Sequence, residues 1–186
     1  MVPSDKRTRL VEAAASVVHE QGFNESTLAD IAQRAGVPPG NVYYYFKTKD
    51  AIGEAVVAQY ALRYQQLRAD WERHNDPRRR IVAFIDTNVA ERDVLACYGC
   101  PIGTLNAELH KRASPLADHA GCIFADLLTW LAEQFRALGR PAGQARVLAV
   151  HVLSAVQGVA LLAHVFNDPD LVTDEAQHLK KWIQTL

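Results

Sequence analysis

TLADIAQRAGVPPGNVYYYFKTK, residues 27–49, reads as two short helices joined by a tight turn. Thr27 is a helix-capping residue type, and Asp30 three positions later completes a capping box. Leu28, Ile31, Ala32 and Ala35 fall at i, i+3, i+4 and i+7, which gives the first helix an apolar face. Gly36 suits the left-handed residue that ends a helix, and Val37 offers an apolar plug for the turn. Pro38 and Pro39 cannot continue a helix but can begin one. The spacing predicts a second helix over 41–46, with Val42 and Phe46 turned into the domain. Asn41, Tyr43, Tyr44 and Tyr45 are left on its other sides. A tyrosine hydroxyl can bond a phosphate oxygen, its ring can lie on a thymine methyl, and asparagine can read an adenine edge. A hairpin of this kind places one helix in the major groove of DNA.

The charge pattern is local. From Ile31 to Lys49 there is no Asp or Glu, while Arg34, Lys47 and Lys49 are present. Residues 1–50 as a whole hold equal numbers of acidic and basic side chains, and the full chain carries a formal charge of −1. That balance excludes a general polyanion binder, so any DNA contact must come from placement rather than net charge.

Outward from this stretch, nearly every segment has helical period. Residues 6–21 repeat Leu10, Ala14, Val17 and Val18 on one face. Thr48 can cap a long helix to about Arg73, whose second half carries the stripe Tyr60, Tyr64, Leu67 and Trp71. Asp76-Pro77 is a cap followed by a first-turn proline, and the helix it starts sets Ile81, Phe84, Ile85, Asn88 and Val89 on one side. Residues 93–101, DVLACYGCP, read as a break. A helix from about Ile102 to Lys111 follows, then one opened by Ser114-Pro115 and stopped near Gly139. Pro141 to Phe166 is apolar nearly all round, which predicts burial on most sides. The last helix, about 171–185, shows Leu179, Trp182, Ile183 and Leu186 at helical spacing. The reading is an all-α chain of about nine helices: a helix-turn-helix domain over 1–50 and a helical ligand-binding and dimerisation domain over 51–186. Helix 142–166 is either the centre of a monomeric core or, with 171–185, half of a four-helix seam between two copies.

Composition bounds the class. The chain has 186 residues, is 49% hydrophobic and 22% charged, as expected of an ordinary globular protein. Three cysteines argue against a secreted disulfide framework and fit the cytoplasm. MVPSDKRTRL at the N-terminus lacks the apolar core of a leader. Val147 to Val165, the nearest approach to a membrane span, carries His151, Ser154, Gln157 and His164, so no membrane segment is expected. No hydrolase, metalloprotease, phosphate-binding or dinucleotide motif occurs, so no catalytic residue and no cofactor are assigned. Cys97-x-x-Cys100 is half a metal site at most: Cys122 with His110 or His119 could complete four zinc ligands, but no second pair has the spacing, and no metal site is assigned. A thiol- or metal-dependent helical enzyme centred on Cys97 and Cys100 is the reading from a different functional class.

Residues 6–52 resemble the DNA-binding domain of the tetracycline-repressor (TetR/AcrR) family of bacterial regulators. The resemblance is carried by Ala13-Ala14, Gly22-Phe23, Thr27, Asp30-Ile31-Ala32, Ala35-Gly36-Val37, Gly40, Tyr43, Tyr45-Phe46 and Lys49. Pro39 stands where a polar residue is commoner. The resemblance implies a homodimer, joined through helices 142–166 and 171–185, that binds double-stranded operator DNA and leaves it when a small molecule enters the larger domain. It implies that Thr27 bonds a phosphate, that Pro39, Gly40, Asn41, Tyr43 and Tyr44 face the groove, and that Tyr45 and Lys49 hold the DNA backbone.

For the effector, polar residues on apolar faces and large aromatics are the candidates: Asn88, Asn106 and His151, with Phe84, Phe124 and Trp130 as walls. For each of them the commoner reading is a satisfied core residue. Gly99-Cys100-Pro101-Ile102-Gly103 resembles a subgroup of the family, some members of which answer electrophiles or oxidants through the matching cysteine. That adds Cys100 as a candidate reactive thiol, against the plainer reading of a small buried apolar side chain.

Overall fold

The computed structural model describes residues 6–186. Residues 1–5, which include the start of the stretch read for a leader and of the 1–50 domain, lie outside the described residues. Among the described residues there are ten helices and no strand: α1 (Lys6–Gln21), α2 (Leu28–Ala35), α3 (Pro39–Tyr45), α4 (Lys49–Trp71), α5 (Pro77–Ala90), α6 (Arg92–Tyr98), α7 (Pro101–Lys111), α8 (Ala117–Ala137), α9 (Ala142–Phe166) and α10 (Asp170–Thr185). They form two compact units, one of residues 1–63 with 101–121 and one of residues 64–100 with 122–186. The unit boundaries fall inside α4, between α6 and α7, and inside α8.

The predicted punctuation is present in atomic detail. The Asp76 side chain accepts the Arg78 N–H at 2.9 Å, with Pro77 in the first turn of α5. Thr48 Oγ1 accepts the Ala51 N–H at 3.1 Å at the start of α4. Gly139 is left-handed at the end of α8, with φ 84°.

In the first unit, Leu10, Ala14, Val17 and Val18 of α1 are buried, and α1 packs on α2 and α7. Ile31, Val42, Phe46, Ile52, Val56, Ile102, Leu105 and Leu109 complete that core. The Tyr60 hydroxyl donates to the Ala15 carbonyl at 3.1 Å, tying α4 to α1. Gly53 lets α4 approach closely: a Cβ there would lie 2.7 Å from Leu116 Cδ1 and 2.9 Å from Phe23 Cε2.

In the second unit, α9 packs on α6 and α10, and α10 packs on α5. Ile81, Phe84, Ile85, Trp130, Leu131, Phe135, Val152 and Ile183 are buried. Two expectations are corrected here. Residues 93–101 are not a plain break: Arg92–Tyr98 is helical, and only Gly99, at φ 75°, and Cys100 interrupt the helix before Pro101 starts α7. Local sequence hid this helix, because only Leu95 and Ala96 carry its burial. They pack against Ala160, Ala163 and Val172 from α9 and α10, partners known only once the chain has folded.

The second correction concerns α9. Its most apolar stretch is only 33% buried, and Val147, Val150, Leu161, Leu162, Val165 and Phe166 are exposed. Its buried residues, Ala145, Ala149, Val152, Leu153, Val156, Ala160 and Ala163, form one stripe. Its exposed positions are mostly apolar, interrupted by Arg146, His151, Ser154 and His164. By length and composition α9 is long and apolar enough to cross a membrane.

Candidate nucleic-acid interface

The hairpin of α2 and α3 is built rigidly from its own sequence. Thr27 Oγ1 accepts the Asp30 N–H at 3.1 Å and donates to Asp30 Oδ2 at 2.6 Å, while the Thr27 N–H donates to the same oxygen at 2.9 Å. Both halves of the predicted capping box are therefore made. These bonds hold the Asp30 carboxyl below its usual range, the Thr27 hydroxyl first and the Thr27 amide second. Gly36 closes α2 in the left-handed region, with φ 64°, and its turn donates to the Ala32 and Gln33 carbonyls. Val37 is buried as the turn's plug. Across the unit, Arg34 grips Glu20 of α1 with two parallel bonds of 2.7 and 2.6 Å. That fork lowers the Glu20 carboxyl, with the hydrogen bond from Arg34 the main cause.

α3 begins at Pro39, so the reading helix starts two residues earlier than the spacing predicts. Proline tolerates this position because a first-turn N–H has no helical partner anyway. Val42 and Phe46 point inward and are buried, as expected. Tyr43 and Tyr44 stand out, 55% and 74% exposed, and Pro38, Pro39 and Gly40 are also exposed. Asn41 and Tyr45 are half-buried, with the Tyr45 ring edge-on to Tyr44 at 5.0 Å between centroids. The expected groove-facing set thus divides into an exposed ridge, Pro39, Gly40, Tyr43 and Tyr44, and the half-buried Asn41, while Tyr45, expected on the DNA backbone, is half-buried beside it.

Two expected phosphate contacts have internal engagements. The Thr27 hydroxyl spends its proton on Asp30. Lys49 is half-buried, donates to the Asn24 carbonyl at 2.7 Å and lies 5.1 Å above the Phe23 ring. Its ammonium is pulled down from the usual lysine value, chiefly by burial; Glu25 opposes this most, Arg112 adds to it, and Glu108 and Asp50 also oppose it. A basic residue that the pattern reading passed over is Arg7, whose guanidinium sits 5.4 Å from the centre of the Phe46 ring. Phe46 is the C-cap of α3, so Arg7 sits at the end of the reading helix. The run Lys6-Arg7-Thr8-Arg9 was its only sequence signal.

The effector candidates are dispersed. Phe84 and Trp130 come together, 6.2 Å apart, with Trp71 at 5.2 and 5.1 Å from them. All three rings are buried, and both indoles are satisfied: Trp71 Nε1 donates to Thr87 Oγ1 and Trp130 Nε1 to Glu72 Oε1, each at 2.9 Å. That places Phe84 and Trp130 in a packed aromatic core. Asn88 Nδ2 donates to the Phe84 carbonyl of its own helix. Asn106 belongs to the other compact unit, where it is buried and donates to the Ile102 and Ala120 carbonyls at 3.0 and 3.2 Å. His151, expected in a buried helix, is exposed and meets the Trp182 ring edge-on at 4.8 Å. Phe124 is half-buried. Cys100 is also half-buried, against the apolar cluster of Leu95, Ala96, Ala160, Ala163 and Val172. Cys97 and Cys122 are exposed, and among the described residues no cluster of three or more His, Cys, Asp or Glu side chains is placed to hold a metal.

Comparison with known proteins agrees with this geometry. Residues 10–56 match the family model described as bacterial regulatory proteins, tetR family. Residues 77–178 match the C-terminal domain of LmrA/YxaF-like transcriptional regulators. An uncharacterised HTH-type transcriptional regulator of Mycobacterium tuberculosis is 28% identical over 179 residues, covering 87% of this chain and 86% of its own. Another from Lactococcus lactis is 24% identical over 180 residues, covering 94% and 91%. The crystal structure of a TetR transcriptional regulator from Legionella pneumophila superposes with a TM-score of 0.88 at 20% identity, over the full length of both chains.

Proposed function

This chain belongs to the tetracycline-repressor family of DNA-binding transcriptional regulators, and from that premise we propose that it is a homodimeric, non-enzymatic, cytoplasmic repressor released from its operator by a small molecule. The observation that carries the DNA-reading part is the ridge of Tyr43 and Tyr44 on a short helix whose inner side is buried and whose partner helix is capped at both ends. Residues 1–50 supply the reading head and residues 51–186 the effector-binding and dimerising part.

The proposed subunit seam is the uncovered apolar face of α9 together with α10. Val147, Val150, Leu161, Leu162, Val165 and Phe166 are aliphatic or aromatic side chains with no polar tip, and their joint exposure is costly unless another surface covers them. Gly158 is exposed with open space beside it, as close approach of a second helix requires. A seam also accounts for a helix apolar enough for a membrane inside a domain that matches regulators. Two subunits present two reading helices to half-sites about 34–36 Å apart, or a multiple of it. Phe84 and Trp130, expected as walls of an effector pocket, are packed as core.

The test is a gel-retardation series with duplexes from the region upstream of the gene itself. The full chain retards a near-palindromic duplex at low salt, and Tyr43→Ala with Tyr44→Ala abolishes the shift while the fold persists. A wild-type chain that ignores every upstream duplex refutes the reading.

A further inference from the structure

We propose that Glu108 is a positioning residue for operator binding: from α7 its carboxylate fixes the turn between α1 and α2, and through that turn the setting of the reading helix. The inference rests on the DNA-binding reading of α3. Glu108 lies 84 residues beyond Asn24 in the chain, yet its two oxygens take two successive backbone donors of the turn. The Phe23 N–H donates to Oε1 at 3.2 Å and the Asn24 N–H to Oε2 at 2.9 Å. Bonds to an ionised acceptor are about twice as strong as neutral ones, and two at once fix direction as well as distance.

The same turn is held from its other side. The Asn24 carbonyl accepts from Lys49 Nζ at 2.7 Å, and Lys49 is the first residue of α4, three positions after Phe46 closes α3. The Phe23 ring is buried beneath that ammonium. Residue 24 is therefore clamped between α7 on its donor side and the first residue of α4, just beyond α3, on its acceptor side. Three residues further on, Thr27 begins the cap of α2. Movement of α7 is transmitted to the start of α2 and the end of α3 through one residue's backbone.

Gly22 shows that the approach is built in. Its φ is +86°, where glycine is favoured, and a Cβ there would lie 2.6 Å from Glu108 Oε1. Ser26 Oγ donates to the Gly22 carbonyl at 2.5 Å, which closes the turn on itself. A cavity of about 200 Å³ lined by Asn24, Lys49, Glu108 and Arg112 opens at this joint, so the clamp is not locked into the core.

Glu108→Gln keeps the shape but replaces one acceptor with a donor, so the two amides cannot both be satisfied. In the full chain, amide hydrogen exchange at Phe23 and Asn24 is expected to quicken about tenfold, the effect of one lost bond to a charged group. The change is confined to the turn and to α2–α3, with α5 and α9 unaffected. Affinity for the near-palindromic duplex falls about fivefold or more, while affinity for an unrelated duplex of equal length holds, because misaligned heads lose specific contacts before electrostatic ones. A purely structural contact would lower both affinities together and speed exchange throughout the unit. Gly22→Ala displaces the same carboxylate, so its effect and that of Glu108→Gln are less than additive. Unchanged exchange at Phe23 and Asn24 overturns the clamp. Faster exchange with unchanged operator affinity overturns the positioning role. A wild-type chain that binds no duplex instead refutes the reading on which the proposal rests.

Discussion

α3 and α9 both expose large apolar side chains, and the two exposures differ in kind. On α3 the exposed groups are Tyr43 and Tyr44, each with a hydroxyl that water can satisfy. Their helix has only seven residues and is held in place by a capped neighbour and by the buried Val42 and Phe46. On α9 the exposed groups are Val147, Val150, Leu161, Leu162, Val165 and Phe166, along a 25-residue helix whose opposite stripe packs on α6 and α10. Exposure on α3 is tolerable in a lone subunit and suits a polar partner such as DNA. Exposure on α9 calls for an apolar partner, and a second copy is the one proposed above.

The largest effect is expected where that contrast is attacked on α9. Leu161→Glu with Leu162→Glu places charges on side chains that are 61% and 49% exposed in the lone chain. Burial contributes ~1.5–3 kcal/mol per aliphatic side chain, so two lost on each of two subunits raise the dimer dissociation constant by roughly a thousandfold or more. Sedimentation velocity reads this as a shift to single-subunit mass. A dimer of wild-type strength would show that the seam lies elsewhere.

Next comes Tyr44→Ala, which touches no core. Operator affinity is expected to drop about tenfold or more, the usual worth of a specific groove contact, with the melting temperature unchanged. An unaltered affinity would move the reading surface off this ridge.

Smaller still is Thr27→Ala, which removes the cap of α2 at a cost of about 1 kcal/mol. Calorimetry should register it as a fall of roughly 2–4 °C. No fall would mean that tertiary packing alone holds α2.

The smallest expected effect is acid sensitivity of the reading head. Glu20 and Asp30 have their folded-state carboxyl values lowered, by Arg34 and by Thr27 respectively. A lowered folded value contributes stability above the ordinary carboxylate range, and this is lost as pH falls through the folded value. The urea midpoint should therefore drop below about pH 4, and Glu20→Gln should flatten part of that drop. A midpoint equally pH-dependent in Glu20→Gln would remove the Arg34 pair as a cause.

What was legible in the sequence follows from how local each signal is. The capping box, the left-handed Gly36 and the inward pair Val42 and Phe46 all act within a few residues, and the structure shows each where the spacing put it. The caps of α4 and α5 were legible for the same reason. α6 was not, because its burial depends on α9 and α10. Among the site residues, Tyr43 and Tyr44 were readable as outward residues of a short helix. The engagement of Lys49 with Asn24 was not, since nothing in the residue type separates a lysine bound for phosphate from one bound for a carbonyl. His151 was assigned to a buried helix because apolar composition does not say which face of a helix the rest of the chain covers.

By itself, then, the sequence determined an all-α chain with a two-helix hairpin near its start, because caps, turns and helical period are short-range physics. The tertiary structure alone decided that Phe84 and Trp130 close on Trp71 as core, that one side of α9 is bare, and that Glu108 reaches the backbone at Phe23 and Asn24. Those outcomes join residues far apart in the chain, and no local pattern encodes which distant partner a side chain will meet.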